Sequence, residues 1–401
     1  MTPRQRVITA LKHREPDLVP WGEVWIDYNV FEDVLGRPSY FHGKMKETIA
    51  WWEGRDAEII TSCDRDVVDL TLALGLDVAT VEVYPRSQYI LGSRYNVPMK
   101  QIDYETYVDQ DGSLWRVSSA THELMPFRLN PDVYTPPTMV SLEKAINDVE
   151  KNGVPKPDDW QWSMVRNTVT ALKDTHIVAC LAPDIGFPSF GQTDEEKYLN
   201  MALHPEMLGR IAELAGRRAI AELKYYAEEG VDALFPCGDY GCSNGLLASP
   251  SIFTEHVFPW IKAYCDEAHR LGMYVFKHCC GRTIDIFGYF IKAGYDAYQS
   301  IQPTAGMDIR ELKDRFGTGI TLWGGAANES LIGGTPQDVE NDVLYAFEGA
   351  AAGGGYILGA SHSLAVGTSL ENLMMMKNCR EKYGTYPISH QQRTVVSGAK
   401  I

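Results

Sequence analysis

The segment Lys277-His278-Cys279-Cys280-Gly281 sets an imidazole and a thiol two residues apart. On an extended backbone, positions i and i+2 face the same way, and a following glycine lets the chain turn sharply. Imidazole nitrogen and thiolate sulfur are ligands that a borderline-soft cation such as Zn²⁺ takes, with three protein ligands and an open position in catalytic sites. His362, in GGGYILGASHS, is the candidate third ligand: it ends an apolar run in a Gly/Ser-rich segment where backbone can approach a ligand closely. Cys237 and Asp239, in PCGDYG, compete for a further place, although a buried, unliganded thiol is the simpler reading of Cys237. The alternative to the whole set is a strand-end histidine beside two buried thiols, because His-x-Cys without a third ligand is a weak motif.

Each of these residues follows a short apolar run that a scaffold must position. Such runs fall at 19–24, 78–83, 177–182, 233–236, 273–277, 297–301, 320–323 and 356–358. Helical patterns lie at 194–229 in pieces, 251–271, 283–292, 309–315, 336–352 and 370–382. Repeated strand-then-helix order implies parallel strands joined by crossovers. Eight such units predict an α/β fold of the (β/α)8 TIM barrel type, with an open doubly wound sheet as the alternative. Barrel enzymes gather their site at the C-terminal ends of the strands. Those ends hold Glu23, Trp25, Asp27, Asp184, Cys237, Asp239, Tyr240, His278, Cys280, Gln299, Gln302, Asn328 and His362. Residues 86–128 alternate polar and apolar and predict an inserted pair of β-hairpins, while 130–160 read as a Pro-rich loop around a short helix. Neither looks like a domain boundary. The expectation is one domain over 1–401, with an insertion at 86–160 and a loose tail from about 388. Gly353-Gly354-Gly355 reads as a tight turn and Met374-Met375-Met376 as core filling. Asp174-Thr175-His176 superficially resembles a corrinoid-binding Asp-x-His-x-x-Gly, but Ala179 replaces the glycine and the histidine opens an apolar strand.

Composition narrows the function classes. The 401 residues are 45% apolar and 22% charged, and carry a formal charge of −16. Phosphate binding needs a basic face, so nucleic acid is excluded as a partner, and an anionic membrane surface is disfavoured. The N-terminal MTPRQRVITALKHREPD is amphipathic without an apolar signal core, which predicts a cytoplasmic protein. In that reducing compartment the eight cysteines are buried, metal-bound or reactive rather than paired.

Several longer stretches resemble the uroporphyrinogen decarboxylase superfamily, in order along the chain. They are TPRQRVITALKHREPDLVPW, GVDALFPCGDYG, LLASPSIFTEHVFPWIKAYCDEAHRLGMYVFKHCCG, AGYDAYQSIQP, ITLWGGAANESL and GGYILGASHSLAVGTSLENL. The resemblance implies the barrel independently of the strand pattern. Decarboxylases of that family carry an arginine-rich segment after the first strand to hold the carboxylates of their substrate. Here that place is Gly22-Glu23-Val24-Trp25-Ile26-Asp27-Tyr28, whose acids would repel a polyanionic tetrapyrrole. The chain looks more like the corrinoid-dependent methyltransferase branch, which includes methylcobamide:coenzyme M methyltransferases and enzymes of anaerobic demethylation. The coenzyme M enzymes hold zinc through His-x-Cys and a later Cys. His278 and Cys280 match the first two places, and His362 stands where the third is Cys.

What the resemblance implies is a zinc enzyme that moves a methyl group from a methylated substrate to the Co(I) corrinoid (cobalamin) of a partner protein. Asp239 or Glu23 would act as general acid, if burial raises its pKa. Trp25, Asp27, Tyr240, Gln299 and Asn328 would contact the substrate. The rings of Trp21, Trp25 and Tyr28 suit an aryl methyl ether. The reverse transfer, from methylcorrinoid to a thiol or tetrahydrofolate, uses the same parts. Rival readings are a metal-free decarboxylase or lyase of the same fold, and a non-catalytic barrel that binds a corrinoid protein. A homodimer is compatible with all of them.

Overall fold

Strands buried on both faces read as unbroken apolar runs rather than alternating ones. Ile177–Ala182 is such a run, buried at all six positions. The computed structural model describes residues 1–84 and 97–388. Its central strands are β1 (Val78–Val81), β2 (Ile177–Ala182), β3 (Ala233–Pro236), β4 (Tyr274–His278), β5 (Ala297–Gln299), β6 (Thr321–Ala326) and β7 (Tyr356–Ala360). They lie side by side in chain order, every neighbouring pair parallel. Helices cross over between successive strands, and the sheet curls around an interior filled by Trp323, whose ring centroid lies 5.4 Å from Phe235 and 5.7 Å from Phe276. The interior is a packed core rather than a pore.

The predicted strand at 19–24 is instead a single parallel bridge, Trp21 to Leu358. Leu358 N–H donates to Pro20 O at 2.8 Å, Gly22 N–H donates to Leu358 O at 3.1 Å, and Asp77 N–H donates to Trp21 O at 2.7 Å. This stretch therefore bonds to both β7 and the start of β1. Pro20 has no N–H to extend a ladder, and Gly22 is pressed so closely on the Trp323 ring that a Cβ there would stand 2.4 Å from it.

A short repeat prepares three of the strands. Gly75-Leu76-Asp77, Gly230-Val231-Asp232 and Gly294-Tyr295-Asp296 precede β1, β3 and β5, with left-handed glycines at φ 75°, 80° and 101°. Such a glycine closes the preceding helix, and the aspartate then caps a neighbouring strand. Asp77 accepts from Trp21 N at 2.7 Å, Asp232 from Val178 N at 3.0 Å, and Asp296 from Val275 N at 2.7 Å. Each aspartate also faces a cation or imidazole: Arg6 and Arg380 at Asp77, Arg4 at Asp232, His269 at Asp296.

The insertion holds a four-stranded antiparallel meander, Lys100–Gln101, Thr106–Val108, Leu114–Val117 and Leu124–Arg128. Met99, Tyr107, Trp115 and Leu124 form its small core against Met45 and Trp52. The hairpin expectation holds over this part; its beginning at 86–96, and the tail from 389, lie outside the described residues. The loop expected at 130–160 contains the 14-residue helix Met139–Asn152, started by the side chain of Thr138. Three helices, Tyr28–Leu35, Met45–Trp52 and Asp56–Leu74, fill the stretch between the first two runs, where no helical pattern is expected from the sequence. Gly353, Gly354 and Gly355 do turn tightly before β7, all at positive φ.

Asp77 is fully buried between two arginines. Removing one partner of a buried pair strands the other charge, which costs about 3–5 kcal/mol. Asp77→Ala is therefore expected to lower the thermal unfolding midpoint markedly, measured by calorimetry, while Asp174→Ala at the exposed surface leaves it unchanged.

Candidate metal centre and its cavity

His278 is the last residue of β4, Cys280 follows on the turn, and His362 stands two residues beyond β7. One ligand atom from each lies within 4.8 Å of the others. His278 Nε2 and Cys280 Sγ are 3.2 Å apart. Zinc bonds of about 2.0–2.3 Å put two tetrahedral ligands roughly 3.5 Å apart, so this pair fits one ion and the widest pair must close by about 1 Å.

The tautomer of His278 follows from Gln299. The Gln299 amide NH₂ donates to Ala360 O at 3.2 Å and His362 O at 3.1 Å, two groups that can only accept. Its Oε1 therefore faces His278 Nδ1 as an acceptor, so Nδ1 carries the proton and Nε2 presents its lone pair to the cluster. Burial, then the neighbouring His362, pushes the His278 pKa down. Burial likewise lowers that of His362. Both rings are held neutral, the form that binds metal. Burial and the charge of Asp239 push the Cys280 thiol up, so it keeps its proton until a cation displaces it. Ser300 O–H, at a strained φ of 84°, reaches Cys280 Sγ at 3.6 Å or Ser361 O at 3.1 Å. Gly281 is indispensable here: at φ 77° its missing Cβ leaves room for Gly241, whose carbonyl carbon such an atom would approach to 2.5 Å.

His362 opens onto a cavity of about 570 Å³. One wall is apolar, with Trp25, Leu181, Ala182, Phe235 and Val366. Trp25 stands edge-on to His278 at 4.7 Å and tilted to His362 at 6.4 Å. The rest of the lining includes a hydrogen-bonded chain of charged groups. His42 Nε2 meets Glu82 at 2.7 Å, His42 Nδ1 lies 3.4 Å from Asp27, and Lys44 donates to Asp27 at 2.8 Å and to Glu123 at 2.7 Å. Burial alone would raise the Asp27 carboxyl, but the His42 hydrogen bond and the Lys44 charge outweigh it and hold it at about 2. Asp184, also on the cavity wall, pairs with the fully buried Lys277, whose ammonium donates to Gly238 O at 2.7 Å.

Other predicted site residues stand elsewhere. Glu23 is buried behind the cavity, accepting from Trp21 Nε1 at 2.7 Å and Ala360 N at 3.0 Å, and burial raises it to about 8. Its pKa is raised as a general acid requires, but it faces an interior space lined by Ile26, Phe31 and Leu70. Asp239 is exposed, not buried, and its carboxylate accepts the Cys280 N–H at 2.7 Å. Tyr240 is fully buried, its O–H donating to Ile185 O at 2.6 Å, and makes no cavity wall. Asn328 holds the loop that bears His362, accepting the His362 N–H at 3.1 Å and donating to Ser363 O at 2.7 Å. Cys237 lines the cavity but stands outside the three-ligand cluster, its thiol turned to Phe235 O at 3.2 Å. The residues that sequence reasoning missed are His42, Lys44, Glu82, Glu123 and Ser300. Their partners lie 40 residues away for His42–Glu82 and 79 for Lys44–Glu123, and no local pattern marks them.

Residues 141–383 match the family model described as uroporphyrinogen decarboxylase (URO-D). The chain belongs to the uroporphyrinogen decarboxylase family. Among solved structures it is similar to a methyltransferase from Methanosarcina mazei, 16% identical, with a TM-score of 0.62 over 96% of this chain and 99% of that one. That likeness is one of fold. An α-galactosidase from Saccharomyces cerevisiae, solved with raffinose, is 12% identical over 91% of this chain and 63% of its own, with a TM-score of 0.36, too loose to bear on function. No curated protein matches the sequence. The parallel sheet curls, and the candidate ligands follow its strand ends. No helix among the described residues is long and apolar enough to cross a membrane.

Two outcomes follow. Gln299→Leu leaves His278 Nδ1 without its acceptor, and loss of such a partner typically lowers metal affinity 10–100-fold; competition of zinc against a chromogenic chelator measures it. Glu23 has a folded pKa raised from 4.5 to about 8. Its contribution to stability is complete below pH 4.5 and is lost as pH rises through 8. Glu23→Gln should therefore gain stability relative to the parent chain between those values, in urea titrations at stepped pH.

Proposed function

We propose that this chain is a zinc-dependent methyltransferase that moves a methyl group from a methylated substrate, best an aryl methyl ether, to the Co(I) corrinoid of a partner protein. The observation that carries the reading is the convergence of His278, Cys280 and His362, the last of which lines a largely apolar cavity. Support comes also from family membership and from a fold similar to that of a methyltransferase. We take the stretch 19–24 as the eighth stave of a closed barrel and the chain as one domain, so that the strand ends share one mouth.

Zinc on His278, Cys280 and His362 would supply Lewis-acid stabilisation to the heteroatom that gives up its methyl group. The chain's own residues position and shield. Trp25, set against both imidazoles, offers an aromatic edge and face to a planar ring. Leu181, Phe235 and Val366 exclude water from that side. Gln299 aims His278, Asp239 holds the Cys280 backbone, and Asn328 holds that of His362. Neither Asp239 nor Glu23 reaches the cavity, so the proton taken up by the leaving oxygen would come from His42 or Lys44, which the ionised Asp27 orients. The same residues serve the reverse transfer to a thiol or tetrahydrofolate.

His278→Ala and Cys280→Ser are each expected to reduce bound zinc from about one per chain to none and to abolish methylation of cob(I)alamin, with the circular dichroism of the fold retained. Metal-free parent protein that demethylates at the full rate would remove the reading.

A further inference from the structure

Ser300 stands where a serine is uncommon. It follows the last residue of β5, is fully buried, and holds φ 84°, in the left-handed region that favours glycine. In a regular strand, successive side chains point to opposite faces. Here two successive side chains reach one cluster. Gln299 bonds to His278 and to the carbonyls of Ala360 and His362, while Ser300 Oγ lies 3.6 Å from Cys280 Sγ and 3.1 Å from Ser361 O. The reversed φ is what lets the second residue follow the first.

A glycine would take this backbone without strain but would bring no hydroxyl. Strain of this kind persists where the surrounding structure enforces it, and it collects at functional sites. The turn that bears Cys280 does not need the hydroxyl to hold its backbone. Cys280 N–H donates to Asp239 at 2.7 Å, and Gly281 N–H donates to Gln302 Oε1 at 2.7 Å. What Ser300 adds is a donor facing the sulfur. A hydroxyl has one proton, and here it has two acceptors, the Ser361 carbonyl and the Cys280 sulfur. A thiol that coordinates a cation becomes a thiolate, and hydrogen bonds to ionised acceptors are about twice as strong as those between neutral groups. With a cation on the cluster, the proton is better placed on sulfur than on the carbonyl.

We infer that Ser300 is a positioning residue of the metal centre: its hydroxyl donates to the Cys280 thiolate and draws charge from the sulfur, so that the ion keeps more of its Lewis acidity. This rests on the zinc reading above and deepens it. Gln299 and Ser300 then serve the two ligands of the His-x-Cys segment in turn, the amide orienting His278 and the hydroxyl tuning Cys280.

The test loads the full chain with Co²⁺ in place of zinc and follows the sulfur-to-cobalt charge-transfer absorption, which reports the electron density on a coordinated thiolate without turnover. Ser300→Ala removes the hydroxyl and keeps the strained Cβ; Ser300→Gly removes the hydroxyl and relieves the strain. Both are expected to move the band to longer wavelength by the same amount, with the circular dichroism of the fold retained. A band unmoved in both variants overturns the role of Ser300 and leaves the metal reading standing. A shift in Ser300→Gly alone does the same, because it traces to the backbone and not to the hydroxyl. A parent chain that shows no sulfur-to-cobalt band overturns both.

Discussion

The primary amide of Gln299 is the constraint on which the site depends. Its NH₂ group spans the carbonyls of Ala360 and His362, and its oxygen takes the proton of His278 Nδ1. One neutral side chain at the end of β5 thus ties the end of β4 to the loop after β7. It also sets the imidazole tautomer. A carboxylate in that place would accept from His278 but could not donate to either carbonyl, and it would leave two buried acceptors unsatisfied. The choice of an amide keeps the histidine oriented without adding negative charge beside Cys280, which preserves the electrophilicity of any bound cation.

Around that constraint the fold divides its labour by strand end. At the N-terminal ends, the Gly-apolar-Asp repeat caps neighbouring strands and pairs with Arg4, Arg6, Arg380 and His269. These contacts are fully satisfied and serve stability. At the C-terminal ends, the polar groups are strained or only partly satisfied: Ser300, His42 and Lys44 hold positive φ, and the Cys280 thiol is kept protonated by burial.

The insertion has a similar double role. Its meander builds a separate small core on Met45 and Trp52, yet its Ala120–Glu123 turn reaches the cavity, where Glu123 grips Lys44. A surface elaboration therefore contributes one wall of the site. The apolar wall comes from the ends of the central strands and belongs to the scaffold.

Much of this was legible in the sequence, and for physical reasons. Unbroken apolar runs marked seven of the central strands, because burial on both faces leaves no other pattern. His278, Cys280 and His362 were recognisable because each sits at a strand end, where a barrel-like fold exposes side chains, and because imidazole and thiolate share a preference for the same ion. What the tertiary structure alone decided is which strand-end groups meet. Glu23 and Tyr240 alternate inward and disappear into the core, Asp239 turns to solvent, and Gln299 and Asn328 serve ligands rather than substrate. Apart from Asp27, the polar wall was invisible beforehand because its members hold place through partners 40 and 79 residues distant and through backbone conformations no side-chain pattern encodes. Local sequence sets which chemistry a residue can do; only the folded chain sets the distance at which it does it.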